Sequence, residues 1–311
     1  MSTRAPSVFA SVVRHELTTL AREKTFLLLL AIFMAMTFFS VYIGWSTRTT
    51  TEAIYHASVA YLAAQGVTSI VADPLTGVSP LFVFDNMLVY LLLIGALLAI
   101  VIGHRSFIRE RAASVLPLVF VRPISRAQYI GAKLLGVLLA LTGIVFATYA
   151  VSAFSAAFIP ALHLPAGGYA ALLGFYAVSL VYLTFFAAIG LFFSVVMKNE
   201  STALFMPILV WMAAVFILPE LTTGQNPVAL LNPVTLTGAI PDQGLFFTAA
   251  HRLLSPFSVG QLYTRSALGM LGGGIGNSIA SLFALLAYVG VAIGASAFAL
   301  RRYAVTRDLY L

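Results

Sequence analysis

The fold class that the sequence predicts is an all-α protein that crosses a membrane six times. Of the 311 residues, 61% are hydrophobic and only 9% are charged, whereas a soluble domain carries about 25% charged residues. Several apolar runs reach the roughly 20 residues that a membrane-spanning helix needs. The cationic residues flank these runs instead of forming one patch, so we expect lipid to surround most of the chain.

Composition also excludes several function classes. The formal net charge is +7, but because the cations flank apolar runs, we expect no nucleic-acid partner. The chain has no cysteine, which excludes disulfides, zinc–thiolate sites and thiol catalysis. The first apolar run is too long for the apolar region of a cleavable signal peptide, so we expect it to remain as a span.

The first predicted element, within residues 1–24, is an amphipathic helix from Val8 to Lys24. Phe9, Val13, Leu17 and Leu20 recur at helical spacing, and such a helix can lie in the membrane interface with its apolar side down. An extension that only anchors the chain is the alternative interpretation.

Six spans are predicted after this helix. Tyr42 and Trp45 mark the far end of the first span as an aromatic belt, and Asp85 or Asn86 is expected to cap the second. Pro207 lies inside the fifth span, where proline is tolerated if neighbouring groups satisfy the freed carbonyl. The spans cover residues 25–44, 85–103, 131–159, 169–197, 201–218 and 277–300.

The connections between the spans differ in length and composition. Residues 46–80 form a long external connection, in which we expect a surface helix at 49–65. A minimal turn at 198–200 joins the fourth and fifth spans. The longest irregular region is 219–276, which we interpret as short external or re-entrant helices that end in a glycine-rich hinge at 272–276.

The cation distribution predicts the orientation of the chain. Of the 17 Lys and Arg residues, all except Arg48, Arg252 and Arg265 fall on one side of the predicted membrane. Short Lys- and Arg-rich loops stay in the cytoplasm, so we expect both termini to be cytoplasmic.

The loop at residues 104–130 lies between the second and third spans and holds the densest group of cations. Its middle, Val115 to Val121, is apolar but too short to cross a bilayer, so it needs a surface on which to dock. Ser125 and Gln128 fit a capping box at the start of the next helix, and Pro123 ends the preceding helix at Arg122. The cations are Arg105, Arg109, Arg111, Arg122, Arg126 and Lys133.

Three motifs of this loop resemble the first cytoplasmic loop of ABC-2 type transporter permeases. They are Glu110-Arg111 followed by Leu116-Pro117-Leu118, then Arg122-Pro123-Ile124-Ser125-Arg126, then Gly131-Ala132-Lys133-Leu134-Leu135-Gly136. The pattern is most similar to the branch that contains the permease of the nitrous-oxide-reductase maturation transporter. The six-span layout extends the resemblance to most of residues 1–311, as a single transmembrane domain.

The resemblance implies that the loop is a coupling helix that docks on a separate cytoplasmic ATPase subunit. It implies that the N-terminal elbow helix lines the same contact, and that ATP and Mg²⁺ bind on the partner. The interface expected on this basis comprises Arg14, Glu16, Glu110, Arg111, Leu116, Pro117, Leu118, Arg122, Pro123, Ser125 and Arg126.

The resemblance also implies a dimer, because the transport pathway of these permeases forms between two such halves. We expect a homodimer in the cytoplasmic membrane of a prokaryote, in contact with membrane lipid. Small residues allow close helix contacts in lipid. Those available are Gly131, Gly136, Gly143, Gly190 and Gly294.

The chain lacks the residues that would supply energy or chemistry by itself. No Asp, Glu or Arg lies within the six spans once Asp85 is taken as a cap, although ion-coupled carriers usually need such groups. No Gly-Lys-Ser/Thr phosphate loop occurs, so a separate ATPase is the simplest energy source. The histidines lack metal-ligand spacing, and Met34 and Met36 point to different helix faces. We therefore predict no catalytic, cofactor-binding or metal-binding residue.

The function predicted from these observations is that of the permease subunit of an ATP-binding-cassette transporter, with export as the expected direction. Two alternatives stay open. The first is an intramembrane enzyme, which would need a Ser–His or carboxylate pair at membrane depth that the sequence does not offer. The second is a machine that uses ATP to transmit force without moving a solute.

Overall fold

The computed structural model describes residues 8–66, 72–112, 125–159, 164–219, 249, 252–272 and 278–308. Within these ranges the regular structure is helical, which confirms the all-α fold class. The helices are α1 (Val8–Arg22), α2 (Lys24–Ala64), α3 (Asp85–Tyr90), α4 (Ala96–Ala112), α5 (Arg126–Phe158), α6 (Ala166–Val196), α7 (Glu200–Met212), α8 (Val259–Leu271) and α9 (Ile279–Asp308).

Six helical segments of the described chain are long and apolar enough to cross a membrane, which confirms the predicted number of spans. Short irregular helices extend two of them: a 3-10 turn at Pro80–Phe84 and a π-helix at Leu91–Gly95 combine with α3 and α4, and a π-helix at Ala213–Ile217 continues α7. The segments are Phe26–Ala64, Pro80–Arg111, Gln128–Phe158, Ala166–Val196, Glu200–Ile217 and Ile279–Arg302.

The helix of the first span does not end at residue 44, and the separate surface helix expected at 49–65 is wrong. Helix α2 runs without a break for 41 residues, or about 60 Å at 1.5 Å per residue. That length is about twice the hydrocarbon core of a bilayer. The hydroxyls of the threonines beyond Trp45 find acceptors within the helix, as Thr49 donates to Trp45 O at 3.1 Å and Thr51 to Thr47 O at 2.8 Å, so these residues need no partner outside α2.

The second span begins earlier and ends later than its apolar run. Ser79 caps it, with its hydroxyl accepting from the Leu81 N–H at 3.3 Å. Asp85 makes no side-chain cap bond and lies inside the helical segment, so the cap predicted at Asp85 or Asn86 is wrong. Helix α4 then continues past Gly103 to Ala112, carrying part of the basic loop on the end of the span.

Helix α6 is the centre of the bundle and packs against α4, α5, α7, α8 and α9. Its crossing with α4 depends on two glycines. A Cβ at Gly103 would lie 1.9 Å from Ala187 O, and one at Gly190 would lie 2.4 Å from Ile100 O. The two backbones therefore touch directly, as small residues permit between membrane helices.

Helix α8 lies against α6 and α9 and reaches the middle of the bundle. The Tyr263 ring stacks on the Tyr182 ring with centroids 4.3 Å apart, and its hydroxyl lies 3.0 Å from the Ser179 hydroxyl. Residues 179–182 are near the midpoint of α6, so α8 contacts the middle of the bundle; a re-entrant helix in this region stays a prediction. Most of the rest of 219–276 lies outside the described residues, including hinge residues 273–276.

Carbonyls of the two π-helices accept bonds from neighbouring helices. Leu92 O accepts from the Tyr182 hydroxyl at 2.8 Å and from Trp211 Nε1 at 3.4 Å. Ala214 O accepts from the Ser258 hydroxyl at 3.4 Å. These carbonyls give the Tyr182, Trp211 and Ser258 donors acceptors within the apolar core, where an unpaired polar group would be costly.

Candidate coupling site

One end of the bundle gathers α1, the start of α2, the end of α4 and the start of α5; we call it the α1 end. Helix α1 is amphipathic, as predicted. Its buried face carries Val13, Glu16 and Leu20 and packs on α5, whereas Arg14 and His15 are exposed. The apolar side of α1 is therefore covered at least partly by protein.

Gly136 on α5 lets α1 approach closely. A Cβ at this position would lie 2.8 Å from Glu16 Cγ, which is closer than real side chains come. The glycine therefore leaves the space in which the Glu16 side chain lies flat against α5.

A lysine and two glutamates form the buried centre of the α1 end. Lys133 Nζ lies 2.9 Å from Glu16 Oε2 and 2.5 Å from Glu110 Oε1. Lys133 is 0% exposed and Glu16 is 2% exposed, while the Tyr129 hydroxyl donates to Glu110 Oε2. Removing one partner of a buried ion pair costs about 3–5 kcal/mol because the other charge is left without compensation. This centre therefore ties α1, α4 and α5 together.

Two arginines of α4 extend this centre to the start of α2. Arg109 donates to Glu16 Oε1 at 3.1 Å and to Glu23 Oε1 at 2.8 Å, and Arg105 lies 3.8 Å from Glu23 Oε2. Glu23 is the residue between α1 and α2. We call this group the charged cluster; its members are Glu16, Glu23, Arg105, Arg109, Glu110 and Lys133.

Arg111 links the end of α4 to a different part of the bundle. Its guanidinium donates to Met197 O at 2.6 Å and to Ser194 O at 3.3 Å. These carbonyls belong to the C-terminal end of α6, where the last carbonyls of a helix lack intrahelical partners. Arg111 thus connects α4 to the short turn before α7, which covers residues 197–199 because Glu200, predicted as part of the turn, already begins α7.

The predicted capping box at the start of α5 is confirmed. The Ser125 hydroxyl accepts from the Gln128 N–H at 3.2 Å, and the Ser125 N–H donates to Gln128 Oε1 at 3.2 Å. The chain therefore re-enters the bundle at a fixed point. Residues 113–124, which carry the docking side chains expected from the sequence, lie outside the described residues, as does the side chain of Arg126.

The structure brings together some of the predicted interface residues and separates others. Glu16 and Glu110 belong to the charged cluster, Arg111 binds the end of α6, and Arg14 lies on the exposed side of α1. A direct contact of any of them with an ATPase stays a prediction, as it does for Leu116, Pro117, Leu118, Arg122, Pro123, Ser125 and Arg126.

Sequence reasoning did not assign a role to Lys133 or to Glu23. One signal was available: Glu16 stands on the apolar face of α1 between Val13 and Leu17. A lone acid on a buried helix face needs a cation, and Lys133 is a lone cation at the start of an apolar helix. Within the described residues, no group of three or more His, Cys, Asp or Glu side chains is placed to hold a metal ion.

Six membrane-length helices, three of which are joined with α1 at one end by ion pairs, define a multi-pass helical membrane protein. A family model described as an ABC-2 family transporter protein matches residues 10–304. The chain therefore belongs to the ABC-2 family of transporter membrane proteins. No curated protein matches it.

Family membership confirms the broader predictions. The chain is a multi-pass, non-catalytic membrane subunit of a transporter, it carries no cofactor, and the family implies an ATPase partner. The match identifies the family as a whole and does not resolve the branch to which the loop motif pointed.

Proposed function

We propose that this chain is the permease subunit of an ATP-driven exporter and that segment 113–124 transmits the movement of the ATPase into the bundle. The observation that carries the proposal is the charged cluster at the base of this segment. It joins both ends of the segment to each other and to α1 and α2.

The orientation that we propose puts the α1 end in the cytoplasm of a prokaryote, in its inner membrane. The cations at this end include Arg105, Arg109 and Lys133, whereas Arg48 lies in the extension of α2 beyond the membrane-length part. This bias is that of cytoplasmic loops. The loop motif favours the nitrous-oxide-reductase maturation branch within the family.

Force applied to segment 113–124 would reach several helices at once. The segment is covalently continuous with α4 and α5, so the force acts on these helices directly. The ion pair of Lys133 with Glu16 transmits the force to α1, and the ion pair of Arg109 with Glu23 transmits it to the start of α2. The hydrogen bond of Arg111 to Met197 O transmits it to the end of α6. Because separating a buried ion pair is costly, we expect these helix ends to move as one block.

We assign the direct ATPase contact to Arg14 and to the loop residues, with Glu16, Glu110 and Arg111 supporting the loop from inside the chain. The apolar run of the loop supports docking, because burying one such side chain contributes about 1.5–3 kcal/mol. Arg122 and Arg126 would orient the loop by binding carboxylates with paired hydrogen bonds.

The functional unit that we propose is a homodimer. Gly136 and Gly190 are used inside the chain, but a Cβ at Gly294 on α9 or Gly143 on α5 would meet no atom within 4 Å. Open glycines on a membrane-facing helix favour contact with another helix. Native mass spectrometry of the purified transporter should show two copies of this chain with two ATPase subunits; a stable complex with one copy would contradict the dimer.

The decisive experiment reverses one charge in the loop. Arg122→Glu should reduce co-purification of the ATPase and the transport-coupled ATP turnover, because a like-charge contact at a docking site costs several kcal/mol. Arg4→Glu is the control, since it is predicted to be equally cytoplasmic but far from the loop. If Arg122→Glu and Leu118→Asp insert normally and keep full coupling, segment 113–124 is not the coupling element.

The orientation has its own test, which the absence of native cysteine makes simple. Single cysteines at Thr50 and Ser114 are probed with an impermeant thiol reagent on intact cells. We expect labelling at Thr50 only. Labelling at Ser114 but not at Thr50 would invert the proposed topology.

A further inference from the structure

An open apolar groove lies between α2 and α5, on the opposite half of the bundle from the α1 end. Its volume is about 630 Å³. The rings of Phe38, Tyr42 and Trp45 form one wall, and Ala150, Phe154 and Phe158 contribute to the other. The hydroxyl of Ser155, which also lines the groove, donates to Val151 O at 2.8 Å. The surface offered to an occupant is therefore almost entirely hydrocarbon.

We propose that this groove binds one acyl chain of an anionic phospholipid whose phosphate contacts Arg48. The depth of the groove supports a lipid. From Phe38 to Trp45 the wall extends about 10 Å along α2, which is a large part of one leaflet of a hydrocarbon core about 30 Å thick. Tyr42 and Trp45 have the composition of an aromatic belt at the membrane–water interface.

An acyl chain is the occupant that the surrounding membrane supplies. The groove has a volume of about 630 Å³, and the rings of Phe154 and Phe158 that line it are exposed. One hydrocarbon chain can lie along these rings, whereas a helix of a second copy would cover them; the test below distinguishes the two occupants.

Arg48 supplies the contact for the headgroup. It lies one helical turn beyond Trp45 on α2, and its side chain is 19% exposed. Its Nε lies 3.4 Å from Glu52 Oε1 but makes no hydrogen bond in the described structure. The Nε atom is buried, so the N–H groups of the two terminal nitrogens are the donors that a phosphate can reach. A guanidinium binds phosphate oxygens with paired N–H donors, so Arg48 can hold a phosphate through these two nitrogens.

The two tryptophans of the chain allow a direct test. Trp45 lines the groove, whereas Trp211 is 8% exposed in the core. The difference in fluorescence between the wild type and Trp45→Phe is therefore the emission of Trp45, and its quenching measures how closely a quencher approaches the groove. The full-length chain is reconstituted without ATPase in vesicles whose acyl chains carry bromine, a quencher. The brominated chains are placed either on phosphatidylglycerol or on phosphatidylcholine.

We expect the brominated anionic lipid to quench Trp45 at a roughly fivefold lower mole fraction than the zwitterionic lipid, the preference that one cation gives. Arg48→Gln should remove the preference for the anionic lipid, while both lipids still quench Trp45. The control is Arg265→Gln, at an exposed cation on α8, which should leave the preference unchanged. Ala150→Phe fills the groove and should reduce quenching by both lipids. The matched control is Ala287→Phe on the exposed face of α9.

Two results would overturn the proposal. Equal quenching by the two lipids in both the wild type and Arg48→Gln would mean that only bulk lipid reaches Trp45. Protection of Trp45 from both lipids would mean that protein covers the groove, for example a second copy of the chain. Because no ATPase is present, either result leaves the coupling proposal untouched.

Discussion

At the α1 end, helices α1, α2, α4 and α5 meet around paired charges, whereas in the middle of the bundle α6, α7 and α8 meet around hydroxyls and backbone carbonyls. Lys133 illustrates the first kind of contact, with two carboxylates within 2.9 Å. Tyr182 illustrates the second, with one hydrogen bond to Leu92 O and a ring stacked on Tyr263.

The difference has mechanical consequences. A buried charge that loses its partner has no low-energy alternative, so the α1 end keeps one arrangement. A hydroxyl can rotate and exchange one acceptor for another at a net difference of about 1 kcal/mol. We therefore expect helices to be rigidly joined where force enters and to shift more readily near the middle of the membrane.

The largest effect on stability is expected from Lys133→Met. The substitution leaves Glu16 buried beside Arg109 alone and Glu110 without its cation, so we expect a loss of about 3–5 kcal/mol in the free energy of unfolding. Denaturant unfolding of the purified protein measures it. Lys198→Met is the control because Lys198 is exposed in the turn before α7.

A second substitution separates charge from packing in this prediction. Adding Glu110→Gln to Lys133→Met removes the carboxylate that is left without a cation, and the double variant should be more stable than Lys133→Met alone. If Lys133→Met unfolds like the wild type, the charged cluster does not hold the α1 end together.

Gly103→Ala is expected to have the next largest effect. The new Cβ would overlap Ala187 O, a backbone atom that can move only with helix α6. Overpacking of this kind costs about 1–3 kcal/mol, and thermal unfolding should register it. Gly167→Ala adds the same methyl group to the first turn of α6 where no atom lies within 4 Å, and it should be neutral or stabilising. Equal effects of the two variants would contradict the close α4–α6 contact.

The sequence predicts the membrane-length parts of the helices better than their ends. Hydropathy identifies each apolar run, but it does not detect the polar half of α2, which is helical although it contains Thr49 and Thr51. It also misplaces the start of the second span, because Pro80 and Ser79 begin a 3-10 turn ahead of Asp85. The pattern of apolar residues therefore locates neither the end of α2 nor the start of the second span.

The candidate site is predictable only in part. The capping box of Ser125 and Gln128 is a local pattern and is found correctly. The pair of Glu16 and Lys133 joins residues 117 positions apart, and no local rule connects them. In the sequence, each of the two residues is recognisable only as a charged residue among apolar ones. Its partner can be identified only from the structure, in which α1 packs on α5.

Ser125→Ala is expected to have a smaller and more local effect. It removes the acceptor of the Gln128 N–H, and the loss of an N-cap typically costs about 1 kcal/mol. Hydrogen exchange should speed up in the first turn of α5, at residues 126–130, with little change elsewhere. Ser58→Ala, an exposed serine whose hydroxyl donates within α2, is the control. Unchanged exchange at 126–130 would mean that the cap does not fix the start of α5.

The smallest effect is expected from Tyr263→Phe, which tests the hydroxyl contacts at the middle of the bundle. The variant keeps the ring that stacks on Tyr182 and removes only the bond to the Ser179 hydroxyl. Because Ser179 still donates to Phe175 O at 2.8 Å, no buried donor is stranded. The loss should therefore be about 0.5 kcal/mol, at the low end for a hydrogen bond. Urea unfolding measures it against Tyr42→Phe, an exposed tyrosine. A loss of 3 kcal/mol or so, as expected for Lys133→Met, would mean that the middle of the bundle is held as firmly as the α1 end.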